Sequence, residues 1–281
     1  MIKILITGKN SYVGTSLESW LEKFDDNYSI ESISLRDDSW KSKDFSDYDV
    51  VIHVAGIAHI KETSENADIY YRVNRDLAYE VAQKAKCGNV KQFIFFSSMS
   101  VYGINTGIIN KDSLPKPNSN YGKSKLEAEK LILPMADENF KIAIIRPPMI
   151  YGKHCKGNYV RLSRIATQTL VFPYIENKRS MIYIDNLCEF IRKIIENNSD
   201  GLYFPQNLEY VCTSDLVKEI SERHEKKLFL TKIFNPVFKL CNLNIFKKVF
   251  GDLLYEKSMS SHLNFEYTLV NFKDSVKATE E

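Results

Sequence analysis

A tyrosine and a lysine stand four residues apart in Tyr121-Gly122-Lys123-Ser124-Lys125. In the first turn of a helix that spacing puts both side chains on one face. An isolated phenol titrates near ~10 and exchanges protons poorly at neutral pH. A neighbouring ammonium favours the phenolate and draws its pKa towards the working range of general acid–base catalysis. Such pairs occur by chance in many helices. Three features elsewhere in the chain give this one its weight.

The first is amino-terminal. Met1-Ile2-Lys3-Ile4-Leu5-Ile6 reads as a buried strand. It runs into Thr7-Gly8-Lys9-Asn10-Ser11-Tyr12-Val13-Gly14, then into an amphipathic segment through Leu17, Trp20, Leu21 and Phe24. Strand, glycine turn and helix build a dinucleotide phosphate site: Gly8 permits the turn, Gly14 lets the helix approach the strand, and the helix amino terminus offers free N–H groups. Ser11 replaces the usual middle glycine, and its β-carbon narrows the space for a pyrophosphate. An ordinary βα turn is the competing explanation.

The second is the series of strands at 29–35, 49–54, 91–97 and 141–146. A helical segment at 69–86 carries Val73, Leu77, Val81 and Ala85 on one side. Alternating strand and helix predicts a parallel, doubly wound sheet, whose ligands bind beyond the carboxyl ends of the strands. Gly8, Ala55-Gly56, Ser97-Ser98 and Pro147-Pro148 fall at such ends. The third is Phe96-Ser97-Ser98-Met99-Ser100-Val101-Tyr102-Gly103, which puts hydroxyls at a strand's carboxyl end. Serine there more commonly caps a turn.

Together these residues resemble the extended short-chain dehydrogenase/reductases, the epimerase, dehydratase and reductase group that acts on nucleotide sugars. The likeness spans nearly the whole chain. It rests on Thr7-Gly8…Gly14, Asp49-Val50-Val51-Ile52-His53-Val54-Ala55, Val73-Asn74, Ser97-Ser98…Val101-Tyr102-Gly103, Tyr121…Lys125 and Arg146-Pro147-Pro148…Tyr151-Gly152. The resemblance implies a catalytic hydroxyl at Ser98 and an acid/base at Tyr121. Lys125 would bind the nicotinamide ribose and lower the tyrosine pKa. It implies cofactor contacts at Gly8, Lys9, Asn10, Ser11, Tyr12, Val13 and Gly14, then at Arg36, Ala55, Gly56, Asn74, Ser97 and Pro148, besides Tyr121 and Lys125. Substrate contacts are expected at Ser98, Ser100, Tyr121, Asn158, Arg161, Phe172 and Arg179. Arg179 matches the family's diphosphate-binding arginine, a role that suits a guanidinium's paired donors.

The expected fold is α/β, a Rossmann-type doubly wound parallel sheet with a smaller mixed α/β substrate lobe. Residues 1–152 plus about 178–200 are assigned to the dinucleotide domain, and 153–177 plus 201–281 to the nucleotide-sugar lobe. Within the group, Arg146-Pro147-Pro148-Met149-Ile150-Tyr151-Gly152, Gly157-Asn158, Arg179-Ser180-Met181-Ile182-Tyr183-Ile184 and Phe204-Pro205-Gln206-Asn207 look like reductases of capsule and O-antigen clusters. Met99 and Ser100 stand where a dehydratase carries Asp-Glu, so a dehydratase is rejected. The end of the second strand reads Ser34-Leu35-Arg36-Asp37. Arg36, with Lys9, suits an NADP 2′-phosphate, whereas an acid such as Asp37 suits the NAD ribose. NADP(H) is therefore favoured, with NAD(H) possible. The favoured function is NAD(P)H-dependent reduction of a UDP-linked 4-keto-6-deoxy-N-acetylhexosamine for surface polysaccharide. The alternatives are an NAD-dependent UDP-sugar 4-epimerase (UDP-glucose or UDP-N-acetylglucosamine type) and a catalytically silent dinucleotide-binding regulatory protein.

Composition narrows the partners. A net charge of +2 over 281 residues gives no footprint for nucleic acid. No apolar run approaches a membrane span and no signal peptide is expected. Five dispersed cysteines without C-x-x-C read as reduced thiols of a cytoplasmic protein. The five histidines show no ligand spacing, so no metal site is expected. His53 reads as a core residue; His59 and His154 could reach the cleft, but a surface or structural place is favoured for both. The stretch 234–254 alternates apolar and basic residues. Packing of its apolar stripe on the lobe is favoured over membrane contact. The resemblance implies a homodimer through helices at 69–86 and 122–138.

Overall fold

The structure, a computed structural model, describes residues 1–58, 62–63, 65–233, 235, 244–261 and 264–281, the side chains of 244–246 excepted. The readings attached to His59, Cys241, His262 and much of 234–254 lie outside the described residues.

The chain runs through β1 (Ile2–Thr7), α1 (Tyr12–Leu21), β2 (Tyr28–Ile33), β3 (Val50–His53), α2 (Ala67–Tyr71) and α3 (Leu77–Cys87). It continues through β4 (Gln92–Phe96), β5 (Gly107–Ile109), α4 (Asn120–Ile132), β6 (Lys141–Ile145), β7 (Met149–Tyr151) and α5 (Asn158–Gln168). Then come β8 (Val171–Pro173), β9 (Met181–Tyr183), α6 (Ile184–Glu196), β10 (Gly201–Tyr203), α7 (Thr213–Arg223), β11 (Phe229–Thr231) and β12 (Leu253–Tyr255). A π-helical turn, Arg72–Asp76, joins α2 to α3.

Six strands form one parallel sheet in the order β10-β6-β4-β3-β1-β2. The two-residue period of the strands explains why helices cover both faces. Ile4, Ile6, Val50, Ile52, Ile94, Phe96, Ala143 and Ile145 pack with Leu17 and Leu21 of α1 and the apolar side of α6. The intervening Leu5, Val51, Phe93, Phe95, Ile142 and Ile144 pack on Ala78, Val81, Ala82 and Ala85 of α3 and on Ala128 and Ile132 of α4. This is the Rossmann-type doubly wound sheet expected. Three further parallel strand pairs, β7 with β9, β8 with β11 and β12 with β5, lie outside this sheet, where a smaller lobe adds to the core.

Sheet register aligns the chemistry. Thr7 pairs with His53, His53 with Phe95, and Phe96 with Ile145, so four strands end together. The second strand ends at Ile33, two residues before the expected limit at Leu35. The Ile33 carbonyl takes the N–H of both Gly8 and Lys9. Beyond it Ser34 Oγ accepts the Arg36 N–H at 3.2 Å, and Asp37 caps a 3₁₀ turn, Asp38–Ser42. His53 is a core residue, as expected, between Phe93 and Phe95. Its Nδ1 lies 2.8 Å from the Thr7 hydroxyl and its buried Nε2 has no partner. Burial, with the nearby Lys125 charge, draws its pKa down to about 3, so the ring is neutral.

Candidate active site

Ser98, Tyr121 and Lys125 converge where the central strands end. Ser98 leaves β4 in extended conformation and caps the turn Met99–Tyr102. Its Oγ accepts the Ser100 N–H at 3.1 Å and lies 3.2 Å from the Ser100 hydroxyl. The Ser98 hydroxyl also faces the Tyr121 phenol closely enough to oppose the rise of its pKa.

Tyr121 rides on the first turn of α4, whose free N–H groups need acceptors. Ser119 Oγ takes the Gly122 N–H at 3.1 Å. The Glu62 carboxylate takes the N–H of Asn120 and of Tyr121 at 3.1 and 3.2 Å. Glu62 is sixty residues upstream by rough count, and only the packing of its loop on the helix start, in keeping with the helix dipole, brings it here. Gly122 sets the approach of this helix to the serine turn. A β-carbon there would lie 2.5 Å from the Ser100 carbonyl oxygen. Alanine ordinarily favours a helix over glycine by about 1 kcal/mol, but overpacking against backbone costs about 1–3 kcal/mol. Gly122→Ala is therefore expected to lower both the thermal midpoint and kcat. An unchanged midpoint in a melting experiment would remove this packing constraint.

Lys125, one turn further, is buried. Its Nζ donates to the Phe96 carbonyl at 2.7 Å and sits 4.8 Å from the Phe95 ring centroid. Burial draws its pKa down to about 8, and Glu129 opposes that shift. The expected lowering of the Tyr121 pKa by Lys125 is corrected by the structure. Burial pushes the Tyr121 phenol up, and Tyr70 pushes it further. The Ser98 hydroxyl works in the opposite direction. Among the groups acting on the phenol, the Ser98 hydroxyl is the one that favours the phenolate.

Behind these residues lies a buried network absent from the sequence reading. Glu129 accepts Nε and Nη2 of Arg146 at 3.0 and 2.5 Å, and also the hydroxyl of Ser97. Arg146 Nη1 donates to the Tyr102 hydroxyl at 2.9 Å, and the Tyr255 hydroxyl donates to the Arg146 carbonyl at 3.0 Å. The network ties the end of β4 to α4, the end of β6 and the smaller lobe. The available signal was Glu129 itself, four residues from Lys125 and so on the same helix face. Asn74 is a second brace. Buried in the π-helical turn, its side chain exchanges two hydrogen bonds with the backbone of Ile57 and donates to Ser124 Oγ at 3.1 Å. It holds the loop after β3, where Ala55 and Gly56 lie; Gly56 faces both Asn74 and Lys125.

The glycine turn fits a dinucleotide. Gly8 has a φ of 116°, and a β-carbon there would lie 2.8 Å from the Ala55 amide nitrogen. Asn10 also has a positive φ, and Lys9 is exposed. Ser11, which replaces the middle glycine, is the cap of α1: its Oγ accepts the Gly14 N–H at 3.1 Å. Among the described residues the amides of Tyr12 and Val13 have no partner. A cramped backbone cradle and free N–H groups at a helix start are what a pyrophosphate requires. Pro148, at the exit of β6, is buried.

The expected substrate residues separate. Arg179 bridges to Val211 and Leu253, and its Nη1 donates to the Gly251 carbonyl at 2.9 Å. Burial draws its pKa down, partly offset by Asp252. A guanidinium penalised by burial gains from an anionic ligand. Ser100, Asn158 and Arg161 are exposed. Phe172 is buried, its ring 5.5 Å from that of Phe250, and acts as a packing residue of the lobe. His154 is exposed in a left-handed conformation. Phe204-Pro205-Gln206-Asn207 proves to be a scaffold for the Arg179 strand. Gln206 Oε1 accepts the Ser180 hydroxyl at 2.6 Å, and Asn207 Oδ1 accepts the Tyr183 N–H at 3.0 Å.

The pattern of the NAD dependent epimerase/dehydratase family matches residues 4–204. The chain belongs to that family. It is thus a Rossmann-fold, NAD(P)-binding oxidoreductase of the extended short-chain dehydrogenase/reductase kind. The chain is 30% identical to a UDP-glucose 4-epimerase of Vibrio cholerae over 88% of its length and 82% of the relative's. It is 27% identical to an N-acetyl-alpha-D-glucosaminyl-diphospho-ditrans,octacis-undecaprenol 4-epimerase of Escherichia coli O157:H7, over 80% and 73%. The fold is also that of UDP-glucuronic acid 4-epimerase from Bacillus cereus, with a TM-score of 0.78 at 21% identity, covering 99% of this chain and 97% of that one.

These findings overturn the preference for NADP(H). Among similar solved structures with a named cofactor, five hold NAD and two hold NADP or NADPH. The geometry gives the reason. A 2′-phosphate contact from Arg36 requires it at the end of β2, but that strand ends at Ile33, so Ser34 takes the position. Arg36 is exposed, beyond a turn. Family membership does not by itself divide reductase from epimerase.

Proposed function

We propose that this protein is an NAD-dependent 4-epimerase of a UDP-linked hexose. The observation that carries the reading is the similarity to the Vibrio UDP-glucose 4-epimerase along most of both chains. The site supports it: a hydroxyl pair at Ser98 and Tyr121 beside a buried lysine, and no carboxylate at positions 99 and 100 to eliminate water. The reading replaces the favoured 4-keto reduction.

Arg179 takes the diphosphate. Ser98 and Tyr121 hold the C4 oxygen, where charge develops. Tyr121 takes the C4 hydroxyl proton as that carbon is oxidised to a ketone, and Ser98 stabilises the phenolate. Once the sugar presents its other face, Tyr121 returns the proton as C4 is reduced. NAD held there would supply hydride-accepting and hydride-returning chemistry, so no net reductant would be consumed. Gly8, Tyr12 and Val13 would hold its pyrophosphate, and Lys125 its nicotinamide ribose.

The test is incubation of the protein with UDP-glucose or UDP-N-acetylglucosamine without added reductant, followed by NMR of the C4 proton. Interconversion of the C4 epimers is expected. Stoichiometric NADPH oxidation with a UDP-4-keto-6-deoxy sugar, and no epimer formed, would return the protein to the reductases.

The buried lysine adds a pH signature. Lys125 loses its proton near pH 8, well below its ordinary 10.5. If its charge serves the site, kcat falls as pH rises through about 8. Stability moves the other way. Between about 8 and 10.5 the unfolded lysine holds more proton than the folded one, so folding is favoured as pH rises. A pH–rate profile flat to pH 10.5 would show that the charge is dispensable.

A further inference from the structure

The phenol that has to take a proton from the sugar begins with one of its own. A tyrosine is ordinarily protonated below pH ~10, and burial pushes the Tyr121 phenol further up. Its proton must leave as the C4 hydroxyl proton arrives. Most of the groups around the phenol cannot accept it. Lys125 is an ammonium at neutral pH, donates to the Phe96 carbonyl at 2.7 Å and has no lone pair to offer. Tyr70 is a buried phenol whose own pKa is pushed up by burial. The Glu62 carboxylate is engaged by the N–H groups of Asn120 and Tyr121. Among the described residues the Ser98 hydroxyl remains.

A serine hydroxyl carries one proton and two lone pairs. At Ser98 the Ser100 N–H takes one lone pair at 3.1 Å, and the proton is donated to the Ser100 hydroxyl at 3.2 Å. The other lone pair is left for the phenol that Ser98 faces. Ser98 is fixed as the cap of the turn Met99–Tyr102, and the N–H that it caps brings the Ser100 side chain alongside. Ser100 is exposed, so its hydroxyl meets water. Hydroxyls thus run from Tyr121 through Ser98 and Ser100 to the surface. Ser97 leads the other way: its hydroxyl goes to Glu129 and so to the buried Arg146.

We propose that Ser98 and Ser100 form a proton relay between Tyr121 and solvent, with Ser100 as its outer end. The relay rests on the reading of Tyr121 as the acid–base group. As C4 is oxidised and the cofactor reduced, the C4 hydroxyl's O–H bond breaks and its proton joins the Tyr121 oxygen. The phenol's former proton joins Ser98 Oγ, the Ser98 proton joins Ser100 Oγ, and the Ser100 proton passes to water. Each oxygen of the chain loses one O–H bond and gains one. Reduction of the ketone runs the chain inwards. A hydroxyl rotates freely, so Ser98 then accepts from Ser100 and donates to Tyr121, the sense in which it favours the phenolate. Ser100 acts through Ser98 and is a positioning residue.

The experiment compares Ser100→Ala and Ser100→Thr with the parent, on whichever hydride transfer the parent catalyses. Alanine removes only the hydroxyl. The bonds from the Ser100 N–H to Ser98 and from the Gly103 N–H to the Ser100 carbonyl belong to the backbone, so the melting midpoint should be that of the parent. In Ser100→Ala kcat should fall about tenfold, below the roughly 10²–10⁴-fold of the acid–base group it serves, with KM little changed. Ser100→Thr, which keeps a hydroxyl, should recover most of the loss. Added imidazole should restore kcat in Ser100→Ala by carrying the proton across the exposed gap, and should do nothing for Tyr121→Phe. The dependence of kcat on the deuterium content of the solvent should be curved in the parent, where several protons move together, and straight in Ser100→Ala. A kcat equal to the parent's overturns the relay. So does a loss confined to KM, which would make Ser100 a sugar contact, or a loss of kcat that neither threonine nor imidazole repairs. A parent that oxidises NADPH with a UDP-4-keto sugar and forms no C4 epimer displaces the epimerase reading alone. The reduced ketone needs the same proton, and the same variants then decide the relay.

Discussion

Tyr121→Phe should lower kcat by about 10²–10⁴-fold, the usual worth of a positioned acid–base group. The substitution removes the hydroxyl paired with Ser98 and little else. The α4 start stays capped by Ser119 and Glu62, and Lys125 stays on the Phe96 carbonyl. NAD affinity, read by fluorescence titration, should change little, since the pyrophosphate cradle lies at Gly8 and the start of α1. Ser98→Ala should cost less, because it removes the stabiliser of the phenolate and leaves the proton carrier. Turnover near that of the parent in Tyr121→Phe would discard the assignment of this residue, whatever the sugar.

The largest effect on folding is expected at Glu129. Replacing it with alanine strands the Arg146 guanidinium, which is 7% exposed, and leaves the Ser97 hydroxyl without its acceptor. Breaking one side of a buried ion pair costs about 3–5 kcal/mol, since the other charge stays buried. That is a large share of a typical domain's stability and should appear as a marked fall in the urea midpoint. A combined Glu129→Leu and Arg146→Met variant should recover much of the loss, because a buried pair contributes little net stability against apolar groups of similar size. Glu129→Gln separates charge from packing. It keeps the shape of the network while removing the acid that supports the Lys125 charge. The alkaline limb of the pH–rate profile should therefore move to lower pH. A midpoint unchanged in Glu129→Ala would refute the clamp.

Much of the site was legible because its signals are local. Strand, glycine turn and helix lie within the first 21 residues. Tyr121 and Lys125 share one helical turn, and Ser98 follows a run of five buried residues in β4. Backbone periodicity links such residues without knowledge of the rest of the chain. What was missed depends on distant segments. Glu62 reaches the start of α4, and Arg146 reaches Glu129 from another strand end. Gln206 and Asn207 fix the strand that begins after Arg179.

The cofactor preference shows the same division at the scale of two residues. The sequence contains Arg36, and its charge is a fact of composition. Whether that charge stands at a strand end depends on where the β1–β2 ladder stops, and the Ile33 carbonyl stops it by taking two amides of the glycine turn. The pKa values divide likewise. Spacing brought the Tyr121 phenol and the Lys125 ammonium to one helix face. Burial then raised the phenol, lowered the ammonium and gave the latter to the Phe96 carbonyl. The sequence by itself determined the doubly wound sheet and the glycine turn, because each follows from short-range periodicity, and it implied the Ser98, Tyr121 and Lys125 set through the family resemblance that these local motifs carry. Only the tertiary structure decided the charge partners, the protonation balance and where the second strand ends. Desolvation and hydrogen bonding between remote segments exist only once those segments have packed.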